Sequence, residues 1–371
     1  MRKLADWMEP KLSAAERATL RLRGLYEQFG YKKYQVSQFE EYGLYLQFKS
    51  FLTGGRVLSF TDLDGRLLAL KPDVTLSIAK NARMDNGAEK VYYIENVYRE
   101  SVASGTMKEI SQMGLEYIGG AGAYAQAEVL ALAHESLAAV GPEHVLEVSH
   151  MGFVVGLFEA LGLEGEARSE VLGGLSAKSA HEVGISARRA GIGTAGVSVL
   201  SDLCTLSGSF EQTLGRARGL CLNGKMTAAL DELDETVRAA GGGKSLRLDF
   251  TLQGDMEYYD GLMMAGYLDG VPKAVLSGGR YDGLMKKLGR EVSAAGFALY
   301  LDDLKRIPRQ PEPFDVDVLV LADASADAVG LLNAVQTLTK QGLRVRVEEN
   351  RPPKLRCGKV CRYREGGLEE C

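Results

Sequence analysis

Apolar residues recur three and four positions apart early in the chain, where Ala18, Leu22, Leu25 and Phe29 form one stripe, and this period predicts a helix over residues 14–29. Ser13 and Glu16 stand at the spacing of a capping box, in which each side chain satisfies a backbone donor at the helix start. Gly30 suits the stop. Residues 31–70 read as extended segments. Among them, VLSFTDLDGRLLAL sets Asp64-Gly65 between two half-apolar runs, the pattern of a β-hairpin. Residues 74–83 read as helix. KVYYIENVYRE (90–100) and MKEISQMGLEYIGG (107–120) read as strands, and the polar loop with Gly105 between them favours antiparallel pairing. A helix over 124–139 and a strand over 145–150 follow. Residues 151–240 are mostly helical in pattern and end at the glycines 241–243.

Beyond the glycines, LRLDFTLQ alternates at period two, EYYDGLMMAGYLDG and KAVLSGGRYDGL supply further strands and turns, and AAGFALYLDDLKRI begins apolar and turns helical. Pro308, Pro311 and Pro313 mark a linker over 308–313. FDVDVLVLAD, residues 325–341 and LRVRVEE then make one β-α-β unit, and the closing RPPKLRCGKVCRYREGGLEEC is expected to stay irregular because it carries little apolar content. This order predicts an α+β fold: a core over 1–307 with antiparallel strands, flanking helices and a helical insert near 151–240, then a small α/β unit over 314–371.

The chain has 371 residues, enough for two or three domains, and a formal net charge of −5. That balance argues against a strong sequence-independent hold on nucleic acid, which needs a positive surface. No apolar run reaches the roughly 20 residues of a membrane span. The N-terminal MRKLADWMEP lacks the apolar stretch of a signal peptide, so a reducing cytoplasm is the expected setting. Five scattered cysteines do not suggest a disulfide framework. Cys357 and Cys361 are close in sequence but have no second pair or histidine beside them, so no metal is expected, and no cofactor either.

AAGGGKS (239–245) ends like a phosphate loop, but Arg238 stands where that motif needs glycine, and a helix precedes it while a strand follows. No Gly-x-Ser-x-Gly elbow and no His-Glu-x-x-His occurs. More informative are polar residues set into apolar strands: Asp73 and Thr75, Gln112 and Glu116, Tyr258 and Tyr259, and Tyr281. Any one of them reads most simply as a surface or internally satisfied polar residue. Gln112 and Glu116, four apart in a strand, point to one face. A carboxylate on a covered face is costly unless a cation or donor meets it. Taken as a pocket, the set suits a small cationic amine: Asp73 and Thr75 accept from an ammonium group, Glu116 from an imidazole N–H, and the tyrosines flank a ring. Gly278 and Gly279 would let backbone approach the ligand.

Several segments carry a resemblance. Lys71-Pro72-Asp73-Val74-Thr75, Val97-Tyr98-Arg99-Glu100 with Gln112-Met113-Gly114-Leu115-Glu116, Met256-Glu257-Tyr258-Tyr259, Ser277-Gly278-Gly279-Arg280-Tyr281-Asp282-Gly283 and Gly296-Phe297-Ala298-Leu299 occur in that order. Over roughly residues 10–307 the chain resembles class II histidyl-tRNA synthetases, and more closely their non-catalytic regulatory paralogues of ATP phosphoribosyltransferase. The resemblance implies a class II synthetase-like antiparallel sheet. It also implies that Asp73, Thr75 and Gln112 hold the α-amino group of histidine, and that Glu116, Tyr259 and Tyr281 line its imidazole pocket. The unit at 314–348 resembles the opening half of the synthetase anticodon-binding domain, and no tRNA recognition is assigned to it.

The departures from the synthetase pattern concern cations. Gly254 stands where the synthetases carry an arginine that stabilises charge during adenylate formation. Asp303 stands where the third motif puts an arginine on the ATP phosphates, and the second motif's loop offers only Lys108. Arg99 is the remaining candidate beside the ligand. Phosphoryl chemistry depends on such cations, and losing one donor typically costs about 100- to 1,000-fold. The resemblance therefore implies no catalysis: a histidine-binding regulatory subunit, homodimeric through its core, assembling with the short catalytic ATP phosphoribosyltransferase chain and acting in feedback control of histidine biosynthesis. Two alternatives remain at this point, an active histidine–tRNA ligase and a degenerate synthetase-like module for another amino acid or a protein.

Overall fold

A computed structural model describes residues 12–49, 56–84, 87–101, 104–120, 122–242, 245–252, 258–307, 313–364 and 367–370. The chain divides into two compact units, one over Ser13–Ile307 and a smaller one that includes Pro308–Cys371.

The larger unit is built on a nine-stranded sheet. Its strands run, from edge to edge, Lys32–Lys33, Glu89–Glu100, Met107–Ile118, Ala294–Tyr300, Leu276–Arg280, Leu262–Leu268, His144–His150, Leu246–Asp249 and Ser207–Ser209. Every pairing from Glu89–Glu100 across to His144–His150 is antiparallel. The two long strands pair along their full length, from Glu89 opposite Ile118 to Glu100 opposite Met107. Alternation sorts their side chains onto two faces. Tyr92, Met113, Leu115, Phe297 and Leu299 join a core with residues of the helices Ala14–Gln28 and Ala123–Val140. Val91, Tyr93 and Val97 pack instead with the helix Thr75–Asn81 and with Tyr258 and Tyr281.

The first helix is capped as its sequence predicts: Ser13 and Glu16 exchange both bonds. Its buried stripe differs in two members: Leu25 is half-buried, and Phe29 gives way to Tyr26. Ala18, Leu22 and Tyr26 are buried, while Phe29 is 36% exposed. Phe29 is the C-cap residue, beyond the last helical turn, whereas Tyr26 reaches a partner on the neighbouring helix and bonds Ser136 at 3.0 Å. The Asp64-Gly65 hairpin forms, joining Ser59–Thr61 to Leu67–Leu70, with Gly65 at φ 81°. The region read as wholly extended also contains a short helix, Tyr42–Gln47.

Between the strand His144–His150 and the sheet edge, the chain forms the insert. Its helices are Met151–Leu161, Gly165–Ser176, Ala180–Arg189, Thr194–Thr205, Phe210–Arg218 and Gly224–Ala239. Among the described residues no helix is long and apolar enough to cross a membrane.

In the smaller unit, Val316–Leu321, the helix Ala328–Lys340 and Val345–Glu348 make the β-α-β unit, with the two strands parallel. The tail expected to be irregular is ordered. Cys357–Arg364 pairs parallel with Val316–Leu321, and Gly367–Glu370 closes the edge antiparallel. Ladder hydrogen bonds need no apolar composition, and one alternating position suffices to anchor the strand: Tyr363 is buried against Val318 and Val320.

Candidate functional site

The sheet face opposite the two long helices is hollowed by small residues. Cross-strand partners align Gly114 with Ala298 and Ala298 with Ser277, and Ser277 with Ala265 in turn. That row of small side chains runs between two rows that carry Glu116 on one side and Gln112 and Tyr300 on the other. On one side Glu116 stands opposite Gly296 and Gly296 opposite Gly279; on the other Gln112 stands opposite Tyr300. The result is a cavity of about 580 Å³. Asp73, Thr75, Gln112, Glu116, Tyr258, Tyr259 and Tyr281 all line it, as do Arg99 and Gly278. These residues come from five separate segments of sequence.

Asp73 and Thr75 sit at the start of the helix Thr75–Asn81. Asp73 accepts from the Leu76 backbone N–H at 2.7 Å, the bond that caps such a start. Its other oxygen pairs with Arg99 at 3.3 Å, and the Arg99 Nε donates to the Pro72 carbonyl at 2.6 Å. Burial nevertheless holds the Asp73 carboxyl above its ordinary range, against the pull of Arg99. Thr75 turns toward the sheet and donates to Glu116 Oε1 at 2.6 Å.

Glu116 is 1% exposed. Its second oxygen accepts from the Tyr281 hydroxyl at 2.6 Å. Burial raises its pKa to about 8, even though both hydroxyl bonds favour the ionised form and only Asp73 adds repulsion. Tyr258 packs against Tyr259 with ring centroids 4.8 Å apart and against Tyr281 at 5.9 Å, making an aromatic wall. Gln112, also buried, presents an amide Nε2 with no hydrogen-bond partner among the described residues. A half-turn of that amide exchanges donor for acceptor, so it suits either end of an α-amino acid.

The two glycines also make room for their neighbours. A β-carbon on Gly278 would meet Phe297 and the Gly296 carbonyl, and one on Gly279 would meet the Tyr259 ring and the Leu262 carbonyl. They clear room for neighbouring strands and for Tyr259, and Gly279 does not line the cavity. Sequence reasoning missed Gly114, Gly296, Tyr93, Ser277 and Tyr300. Small residues at alternate positions, Gly296 and Ala298 in AAGFALY, are the one signal that pointed there. Ser277 and Tyr300 share a 2.7 Å hydrogen bond across the floor.

Asp303 lies outside the cavity wall, buried and paired with Lys273 at 3.0 Å. Lys108 is exposed on its strand. Gly254, Met256 and Glu257 lie outside the described residues. Arg99 is the single cation lining the cavity among the described residues. No three His, Cys, Asp or Glu side chains among those residues converge as a metal ligand set.

Residues 3–304 match the histidyl-tRNA synthetase family. An ATP phosphoribosyltransferase regulatory subunit from Symbiobacterium thermophilum is 30% identical over 364 residues, covering 92% of this chain and 89% of that protein. A solved structure from Bacillus halodurans, described as an ATP phosphoribosyltransferase regulatory subunit/histidyl-tRNA synthetase, superposes with a TM-score of 0.74 at 25% identity, covering 94% of this chain and 91% of that one. A chain of an ATP phosphoribosyl transferase complex from Thermotoga maritima shares the fold, with a TM-score of 0.60 at 19% identity over 76% of this chain and 96% of that one. The chain belongs to the histidyl-tRNA synthetase family, with relatives that are ATP phosphoribosyltransferase regulatory subunits.

Proposed function

We propose that this chain is a regulatory subunit of ATP phosphoribosyltransferase that binds histidine and carries feedback control of histidine biosynthesis. One observation carries the reading: a pocket with the donors and acceptors for an imidazole amino acid is lined, among the described residues, by a single cation, Arg99, already shared with Asp73 and Pro72. Adenylate formation spreads negative charge over a triphosphate and needs several cations to offset it. The pocket has hydrogen bonding and aromatic surface for the amino acid, and little for the nucleotide.

In this reading Glu116 accepts from an imidazole N–H. Tyr258, Tyr259 and Tyr281 flank the ring, and Asp73, Thr75 and Gln112 take the α-amino group. Arg99 stands beside the ligand's carboxylate. Histidine shifts the assembly only as far as its affinity differs between active and inhibited states, and such couplings typically amount to about 1–3 kcal/mol. The catalytic partner is a separate short phosphoribosyltransferase chain, and the core forms a homodimer. The names of the relatives support the partnership.

Calorimetry with histidine and with other amino acids tests the ligand. Co-purification with the short catalytic chain, assayed with and without histidine, tests the regulation. Histidine-dependent exchange of pyrophosphate into ATP would overturn the reading in favour of a working ligase. Absence of histidine binding would favour a module for another ligand.

A further inference from the structure

The helical insert reaches the pocket through two ion pairs as well as apolar packing, and both charged contacts fall on segments that carry pocket residues. Glu232, on the insert helix Gly224–Ala239, meets Arg280 directly. It also accepts from Gln126 Nε2 at 2.9 Å and lies 3.3 Å from His150 Nε2. His150 Nδ1 accepts from the Gly152 backbone N–H, which leaves Nε2 as the protonated nitrogen facing Glu232. The His150 bond, then Gln126 and Arg280, hold the Glu232 carboxyl down to a pKa of about 2.

Arg280 immediately precedes Tyr281. Its Nε lies 3.5 Å from Asp260, the residue after Tyr259, and 3.6 Å from Asp282. Asp260 in turn accepts from the Gly283 N–H at 2.6 Å. A β-carbon on Gly261 would strike the guanidinium, so the chain closes tightly over it. One arginine thus holds the two turns that bear the aromatic wall, and Glu232 holds the arginine.

The second contact comes from the turn between the insert helices Gly165–Ser176 and Ala180–Arg189. Lys178 has φ 51°, the only non-glycine residue in the left-handed region among the described residues. That conformation is uncommon outside glycine, and here it closes the helix Gly165–Ser176, with the Ser179 N–H returning to the Gly174 carbonyl. The Lys178 ammonium donates to the buried Asp249 at 2.5 Å. Asp249 accepts from both the backbone and the hydroxyl of Thr251, at 2.8 and 2.6 Å. The next residue, Leu252, lines the cavity.

We propose that Glu232 and Lys178 are positioning residues through which the helical insert sets the walls of the pocket, Glu232 the aromatic wall through Arg280 and Lys178 the edge at Leu252 through Asp249. The insert already buries Met226, Leu230 and Leu233, so apolar packing suffices to hold it on the core. Partly exposed ion pairs such as these contribute little net stability compared with apolar packing, whereas their geometry is directional. Coupling is reciprocal: a wall set by the insert must, when it takes a ligand, tighten the insert.

The inference rests on histidine as the ligand. The test measures histidine affinity by calorimetry and amide exchange over residues 224–239, in the full chain and in Glu232→Gln, Glu232→Asp and Lys178→Asn. Asparagine tolerates the left-handed backbone, so the last variant removes only the ion pair. Glu232→Gln and Lys178→Asn are each expected to weaken histidine about tenfold, with partial recovery in Glu232→Asp. Histidine is expected to slow exchange over 224–239 in the unaltered chain and not in Glu232→Gln. Unaltered affinity in both charge-removing variants, or exchange in the unaltered chain that ignores histidine, overturns the proposal alone. An unaltered chain that binds no histidine overturns the ligand reading, and this proposal with it. If Glu232→Gln does not fold, Lys178→Asn decides.

Discussion

Gly296 faces Glu116 across adjacent antiparallel strands, and a β-carbon on Gly296 would occupy the space of the Glu116 carboxylate. The carboxylate therefore lies flat over the neighbouring strand, where Thr75 and Tyr281 reach its two oxygens. Gly296→Ala is expected to destabilise the protein by about 1–3 kcal/mol through overpacking and to abolish binding in the cavity, because the displaced carboxylate loses both hydroxyl partners. Thermal unfolding and histidine calorimetry check the two effects. Wild-type affinity in this variant would show that Glu116 does not contact the ligand.

Glu116 itself gives a pH signature. Its native pKa of about 8 lies above the ordinary 4.5. Between those values the native state keeps a proton that the unfolded state has released, so this group's contribution to stability is full below about pH 4.5 and is lost as pH rises through about 8. Glu116→Gln removes that titration. The stability of wild type minus variant, measured by denaturant unfolding, is expected to fall from pH 5 to pH 8.5. A flat difference would mean that the carboxyl titrates normally.

For the ligand, the same variant exchanges an acceptor that is ionised above about pH 8 for a permanently neutral one. A hydrogen bond to a charged group is worth roughly 1.5–3 kcal/mol, so above that pH histidine affinity is expected to fall about ten- to hundredfold in Glu116→Gln. Calorimetry at pH 9 reads this directly, with a smaller loss expected at pH 6.

Lys71 is wholly buried and bonds Glu95 at 2.5 Å, with the Val36 carbonyl at 3.4 Å. Replacing Lys71 by Met strands the Glu95 charge and is expected to cost about 3–5 kcal/mol, whereas Lys71→Met with Glu95→Leu is expected to restore most of it. Urea unfolding of the single and double variants distinguishes a stranded charge from a simple loss of attraction.

In the smaller unit, Tyr363 is the side chain by which the Cys357–Arg364 strand enters the core. Tyr363→Ala is expected to cost about 3–5 kcal/mol of that unit's stability, a magnitude typical of a buried aromatic truncation. Amide exchange should then rise over Val316–Leu321 and Cys357–Arg364 while Ser13–Ile307 is unchanged.

Whatever rests on near neighbours in the chain was legible from the residues. Ser13 and Glu16 make their capping box, and Asp64-Gly65 its turn, because the atoms that satisfy one another are three or fewer positions apart. Alternation likewise puts Gln112 and Glu116 on one face, since the period of a strand alone dictates it, and both line the cavity. The tertiary structure decided what depends on contacts between distant residues. Tyr26 displaced Phe29 in the buried stripe because Ser136 lies on another helix. The tail became strand because the edge of Val316–Leu321 offered it a ladder, which composition does not record. Asp303 met Lys273 rather than the cavity. The glycines at 278 and 279 serve cross-strand neighbours, and Lys178 finds Asp249 some 71 residues away. Periodicity and spacing encode which way a side chain points; only packing supplies what it meets there.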